Sequence, residues 1–316
     1  MPDEIRVLVA DDSGLMRLII SDILNAENDI KVIGTAKDGK EAVSKSLELE
    51  PDVLVLDMYM GDFDGTYTVK KLLPKKHIPI LILSSMGNTN LDPILEALHL
   101  GAFDYINKPK DKQSKVREIG EQLIKKVREA KKSGERKVKK VKTILNQNHH
   151  TFYGKSNYDI IVIGASTGGP TAVETVIKNL PKNLPVPVLV AQHMPANFVP
   201  SFVKRLDTIT PLKVQMGRKG EVLQPGTVTI APGSRNMVIR RENQDVVVDF
   251  ISKKFKEYNY PSINALFLSV AEVYKNKAVS VVLTGMGKDG ADGSCAIKEA
   301  GGYTVAQNKE TSAVYG

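Results

Sequence analysis

What most constrains this chain is a rhythm in its first 124 residues. Five apolar runs, at residues 5–10, 30–35, 53–56, 78–83 and 102–106, alternate with amphipathic stretches at 14–25, 40–50, 66–73, 90–100 and 112–126. Strands that are apolar along nearly their whole length must be covered on both faces, and helices between them supply the cover. The pattern predicts a parallel, doubly wound α/β domain of flavodoxin-like type, with its functional crevice beyond the C-terminal strand ends. Residues 157–316 repeat the logic less regularly, with strands expected at 159–163, 187–192, 278–283 and 303–307 and helices at 169–178, 263–274 and 291–300. This second unit reads as a Rossmann-like α/β domain. Pro225-Gly226 and Pro232-Gly233 punctuate shorter runs at 227–230, 237–240 and 246–250, which read as a small antiparallel extension.

A length of 316 residues fits two such domains, and 42% hydrophobic with 25% charged residues excludes wholesale disorder. No apolar run is long enough to span a bilayer. The start, Met1-Pro2-Asp3-Glu4, lacks the basic region of a signal peptide. One cysteine, Cys295, excludes an internal disulfide and a zinc site built on two thiolates. A cytoplasmic location is expected.

The net charge of +8 is unevenly spread. Residues 125–142 hold eight lysines, two arginines and two glutamates, and alone carry +8. Residues 1–124 hold 15 bases and 21 acids, and residues 143–316 hold 19 bases and 13 acids. The basic stretch contains no aromatic residue to stack on bases, so it reads as a solvated helix end and linker over 125–156, and no nucleic-acid partner is expected.

In the first unit Asp11 and Asp12 end the first strand, Asp57 the third and Ser84 the fourth, and Lys108 follows the fifth. Three carboxylates at one sheet edge favour a hard divalent cation, with Mg²⁺ the usual choice. A cation and an ammonium together would stabilise a phosphoryl group on one carboxylate, and the Ser84 hydroxyl could bind a phosphoryl oxygen. A lone Asp at a strand end is commonly just a helix cap. Five such groups at four strand ends are harder to explain that way.

On these residues the unit, across 1–124, resembles a response-regulator receiver domain. The resemblance implies that Asp57 is the phosphoacceptor, that Asp12, Asp57 and the Tyr59 carbonyl bind Mg²⁺, and that Asp11 supports them. It also implies that Ser84 and Lys108 contact the phosphoryl group, that Lys108-Pro109 is a cis bond, and that Tyr105 is the aromatic switch. One departure is Gly61, where the family usually has proline four residues after the phosphoacceptor; the expected consequence is a looser loop.

In the second unit, IIVIGASTGGPTAVETVI reads strand, glycine-rich turn, helix, with Ser166 in the turn. Three readings compete. A dinucleotide site needs an acid about 20 residues on, and this chain has no acid between Glu174 and Asp207. A hydrolase elbow needs the chain order Ser, Asp or Glu, His, and the last histidine here is His193, with only Glu174 before it. A triad in the order Ser, His, Asp fits better. His193 closes the strand PVPVLVAQHMP, and Asp289 follows the strand in VVLTGMGKDG. A lone His is more often structural and a lone Asp is often an N-cap, so the case rests on three strand ends converging. His193 would take the serine proton, Asp289 would fix the imidazole tautomer, and N–H groups of Thr167 or Met286 would bind the oxyanion.

The motifs GASTGGP, AQHMP and LTGMGKDG, in this order behind a receiver, resemble the chemotaxis protein-glutamate methylesterase (CheB) family. The resemblance implies a catalytic domain over 157–316, a Ser166–His193–Asp289 triad and an oxyanion contact from Met286. It further implies glutamate methyl esters on chemoreceptors as substrate, deamidation of receptor glutamines, and a chemotaxis histidine kinase as phosphodonor, with no cofactor for the esterase. The closing KETSAVYG resembles a stretch that the family continues into a further helix and strand, so a truncated form is expected. Two rivals are a phosphorylation-controlled binding module without catalysis and a hydrolase of other specificity on the same triad.

Overall fold

The computed structural model describes residues 4–85, 91–108, 119–135, 157–252, 255 and 260–316. The chain divides into two units, Met1–Val138 and Lys139–Gly316.

In the first unit five strands, β1 (Ile5–Ala10), β2 (Ile30–Ala36), β3 (Val53–Asp57), β4 (Ile80–Ser85) and β5 (Asp104–Lys108), form one sheet in the order β2-β1-β3-β4-β5. Every pairing is parallel. β3 is buried at each position and β1 at all but Arg6, as strands covered on both faces must be. The helices are α1 (Gly14–Asn25), α2 (Gly39–Leu49), α3 (Gly65–Leu72), α4 (Asp92–Leu100) and α5 (Gly120–Glu135). Ser13, Asp38 and Asp64 cap α1, α2 and α3 by accepting from the N–H groups of Met16, Glu41 and Tyr67. Such caps contribute about 1 kcal/mol each. The cap of α1 starts that helix directly after β1, which leaves Asp11 and Asp12 at the C-terminal edge of the sheet.

The sequence places the start of a linker at residue 125, but α5 continues to Glu135 and takes the first part of the basic run into the first unit. The helix buries Leu123, Val127 and Ala130 completely, and its bases pair with acids of this unit. Arg128 bridges Asp29 and Glu27 at 2.6 Å each, Lys131 meets Asp52 at 2.7 Å, and Lys126 meets Asp104. The rest of the expected linker, and Pro109 of the expected cis bond, lie outside the described residues.

The second unit has a six-stranded sheet of β6 (Ile160–Ala165), β7 (Val188–Gln192), β8 (Lys213–Met216), β9 (Thr227–Ile230), β12 (Ala278–Val282) and β13 (Tyr303–Ala306), in the order β13-β12-β6-β7-β9-β8 and parallel throughout. A hairpin of β10 (Asn236–Glu242) and β11 (Asp245–Ile251) stands apart as the antiparallel extension. Two features differ from the sequence reading. Residues 227–230 belong to the parallel sheet as β9, not to the extension, because all four are buried between β7 and β8. A helix and a strand, α7 (Val199–Ile209) and β8, occupy a region where the sequence reading has no element. The remaining helices are α6 (Gly169–Lys178), α8 (Ile263–Tyr274) and α9 (Ala291–Glu299).

Helix α8 organises this unit. Its Ile263, Leu266, Phe267 and Val270 share one core with Ile160 and Val162 of β6, Leu189 of β7, and Met237, Ile239 and Val248 of the hairpin. Each fully buried side chain of this size contributes about 1.5–3 kcal/mol. Locked between sheet and hairpin, α8 points its N-terminus at the C-terminal ends of β6, β7 and β12. That is where the strand order reverses about β6, the position at which open α/β sheets form their crevice. Among the described residues no helix is long and apolar enough to cross a membrane.

Candidate active site and candidate phosphoacceptor site

Each member of the expected triad follows a different strand of the second sheet. Ser166 comes directly after β6, His193 directly after β7, and Asp289 on the loop between β12 and α9. The structure brings them into contact: Ser166 Oγ lies 3.0 Å from His193 Nδ1, and Asp289 Oδ2 lies 2.8 Å from His193 Nε2. The His193 backbone is pinned as well, its N–H donating to the Ala165 carbonyl at 3.0 Å.

Asp289 is almost wholly buried and accepts more than the imidazole. The N–H groups of Ile263 and Asn264 donate to it at 2.7 and 2.8 Å, and the Ser262 hydroxyl donates at 3.1 Å. These come from the cap and first turn of α8, so the carboxylate sits at the positive end of a helix. Burial pushes the carboxyl up, but the hydrogen bonds from His193, Asn264 and Ile263 outweigh it and hold Asp289 below the usual carboxylate range. An ionised carboxylate only accepts, so the ring proton resides on Nε2 and leaves the Nδ1 lone pair facing the serine hydroxyl.

The two expected oxyanion donors differ in position. Met286 lines the cavity that holds Ser166, His193 and Asp289, whereas Thr167, next to Ser166 in the chain, is buried. Among the described residues neither the Thr167 nor the Met286 N–H has an acceptor. Gly285 backs directly onto Ser166: a Cβ there would stand 2.9 Å from Ser166 Cβ. The far wall of the cavity includes Ser312, Val314 and Tyr315. That wall is tied to the loop after β6 by the Thr284 hydroxyl, which accepts from the Val314 N–H at 2.9 Å and shares its one hydrogen between the carbonyls of Thr167 and Val314 at 2.9 and 3.0 Å.

Several supporting residues went unread in the sequence. Ser262 could have been found as an N-cap ahead of an apolar helix. Asn264 adds a buried side-chain carbonyl that accepts from Gly290 and Gly293, which fixes the loop bearing Asp289. Nothing in its sequence context signals that.

In the first unit Asp11, Asp12, Asp57 and Lys108 also meet. Lys108 Nζ lies 2.5 Å from Asp11 Oδ2 and 2.7 Å from Asp57 Oδ2, all three groups being buried. Carboxylate oxygens of Asp11, Asp12 and Asp57 lie within 4.8 Å of one another, with Asp12 exposed. Burial, reinforced by the Asp11 charge, raises the Asp57 carboxyl above its usual value although Lys108 pulls it down. Burial pushes the Lys108 ammonium down, but Asp57 and Asp11 more than offset this and it stands above its usual value. Among the described residues the buried Ser84 hydroxyl has no hydrogen-bond partner. Tyr59 presents its N–H to Asp57 Oδ1 at 3.4 Å. Tyr105 is buried, and burial with the Asp104 charge raises its phenol well above the usual value. Hard oxygen donors converging from three carboxylates, beside an orphaned hydroxyl, fit a divalent cation and a phosphoryl group. Gly61 takes a left-handed backbone with φ of 71°, a conformation closed to proline, so this loop follows a path that the usual residue could not.

Comparison with known proteins agrees with this division. A family model described as CheB methylesterase matches residues 161–316, and one described as response regulator receiver domain matches residues 7–119. A curated relative from Thermotoga maritima, named protein-glutamate methylesterase/protein-glutamine glutaminase, is 40% identical over 99% of this chain and 90% of its own length. One from Methanosarcina acetivorans, named protein-glutamate methylesterase/protein-glutamine glutaminase 2, is 39% identical over 99% of this chain and 91% of its own. Among solved structures, the Thermotoga maritima CheB methylesterase catalytic domain is 41% identical, covering 50% of this chain and 84% of that one, with a TM-score of 0.49.

Proposed function

The chain belongs to the CheB methylesterase family, with a receiver domain ahead of the catalytic unit, and from that premise we propose how its two sites divide the work. It is a phosphorylation-controlled protein-glutamate methylesterase of chemotaxis, and a protein-glutamine glutaminase on the same nucleophile. Its substrates are chemoreceptor side chains, and a chemotaxis histidine kinase is its phosphodonor.

The observation that carries the catalytic assignment is the unbroken contact from Ser166 Oγ through both His193 nitrogens to Asp289. Ser166 attacks the ester carbonyl while His193 Nδ1 takes its proton. The oxyanion is met by the N–H groups of Thr167 and Met286, which have no acceptor among the described residues. The imidazolium returns its proton to the departing methoxide, and methanol leaves an acyl-serine. Water, deprotonated by the same nitrogen, then releases the glutamate side chain and restores Ser166. With a glutamine substrate the leaving group is ammonia. Asp289 stabilises the imidazolium throughout and keeps the ring oriented.

In the receiver, Asp57 is the phosphoacceptor. Asp11, Asp12 and Asp57, with the Tyr59 carbonyl, would hold Mg²⁺, whose charge offsets that of the phosphoryl group. Lys108 pairs with one phosphoryl oxygen, the unpartnered Ser84 hydroxyl donates to another, and Tyr105 responds to that movement.

The test is methanol release from methylated receptor, with and without a small phosphodonor. Ser166→Ala should abolish release while Asp57 still accepts phosphate. Ser84→Ala should retain basal release and lose most of the activation. Release that persists in Ser166→Ala would sink the catalytic assignment.

A further inference from the structure

Gln192, the last residue of β7, is buried at the centre of the catalytic unit and has no role in the chemistry above. Its side-chain nitrogen lies 3.0 Å from the Ser166 carbonyl and 3.0 Å from the His193 carbonyl. Both neighbours only accept, so the amide NH₂ must face them, one hydrogen to each. The carboxamide oxygen lies against the start of α6: a Cβ on Gly169 would come within 2.1 Å of Gln192 Oε1, an atom that is itself buried without a partner among the described residues. A buried amide that leaves its oxygen unsatisfied costs stability. That cost is accepted here at a position where one side chain grips the backbone of both reacting residues.

The consequence follows from peptide geometry. The Ser166 carbonyl and the Thr167 N–H belong to one planar trans peptide, in which they point in opposite directions. Gln192, helped by the Gly169 N–H at 2.8 Å, fixes that carbonyl and so fixes the N–H on the other side. Among the described residues that N–H has no acceptor. We infer that Gln192 is a positioning residue for the oxyanion site: it holds the Ser166–Thr167 peptide so that the Thr167 N–H faces the charge developing at the ester oxygen. The inference rests on the hydrolase reading of Ser166. Its distinct content is that the side chain touches no substrate and acts through a backbone plane. An oxyanion donor that is misaimed costs up to about 10²–10³ in kcat and little in ground-state binding.

The experiment uses the full chain, phosphorylated, acting on methylated receptor, with kcat counted per Ser166 labelled by a fluorophosphonate so that misfolded molecules drop out. Gln192→Leu should lower kcat by about ten- to a hundredfold with KM within about twofold. A trifluoromethyl ketone analogue of the ester, which forms a tetrahedral oxyanion on Ser166, should lose affinity by the same factor as kcat/KM. Gln192→Glu supplies a donor only when protonated. Its kcat relative to wild type should therefore fall as pH rises, while the Leu ratio stays flat. Unchanged kcat per labelled serine in both variants, or a loss in KM alone, would overturn the inference and leave the hydrolase reading standing. Wild-type protein with no Ser166-dependent methanol release would overturn both.

Discussion

The two pockets occupy the same kind of place, the C-terminal edge of a parallel sheet, and differ in how far their own side chains satisfy one another. In the catalytic unit Asp289 accepts four hydrogen bonds, and both imidazole nitrogens are engaged. In the receiver one ammonium serves two carboxylates, and the Ser84 hydroxyl has no partner among the described residues. The carboxyl shifts follow: Asp289 is held low and Asp57 is pushed up. A carboxylate and an imidazole held by their own neighbours keep a geometry ready before substrate arrives, which is what electrostatic preorganisation requires. An unsaturated pocket is relieved by an incoming cation or phosphoryl group, so its occupancy can drive a change of state. Catalyst and switch differ here less in residue types than in what each leaves unpaired.

The largest expected effect comes from breaking the saturated side. Asp289→Asn keeps the shape but presents an amide to His193 Nε2, which favours the wrong tautomer. Methanol release should fall by about 10³–10⁴ in kcat with the fold intact by circular dichroism. A decrease below about tenfold would mean that the α8 N-terminus, not Asp289, orients the ring.

The pH dependence of stability should then run in opposite directions at the two carboxyls. A carboxyl whose folded pKa is depressed contributes stability above its unfolded value, near 3.9, and that stability is lost as pH falls through the lower folded value. This is the Asp289 case. Asp57 is raised, so its effect is greatest at low pH, where the folded state holds the proton, and is lost as pH rises through the folded value. At neutral pH without Mg²⁺, Asp57→Asn should therefore raise the unfolding midpoint of the receiver by a few degrees. Adding Mg²⁺ should stabilise wild type more than the variant. A lower midpoint in Asp57→Asn, followed by differential scanning calorimetry, would show that the Lys108 pair outweighs the burial of this carboxylate.

Strand ends made both pockets readable in advance. Asp11, Asp57, Lys108, Ser166 and His193 each lie at or directly after a strand whose apolar run is plain in the sequence. What could not be read depends on tertiary arrival. The α8 N-terminus that holds Asp289 lies about 25 residues earlier in the chain, and only packing between sheet and hairpin brings it there. β9 misled for a related reason: four buried residues between Pro-Gly turns look alike in a parallel and an antiparallel sheet, and the neighbouring strand decides. α7 starts without a side-chain cap, at Phe198, so the usual sequence mark of a helix start is missing.

The smallest effect tests whether glycines beside the two pockets serve the same end. Gly285 lies outside the left-handed region but has no room, because a Cβ would press on Ser166 at 2.9 Å. Gly61 is the reverse: nothing lies within 4 Å of its would-be Cβ, yet φ is 71°. Alanine at 285 should therefore act on chemistry by displacing the nucleophile, whereas alanine at 61 should act only on the backbone. Left-handed geometry costs a non-glycine residue roughly 1–2 kcal/mol, so Gly61→Ala should lower receiver stability by about that much in urea and leave esterase turnover of the phosphorylated protein unchanged. Gly61→Pro should cost more, since its ring locks φ near −65° and the loop must abandon its present path. If proline at 61 were instead neutral, the left-handed turn would be incidental. The departure from the usual receiver loop would then carry no structural consequence, and the asymmetry between the two pockets would rest on their charged groups alone.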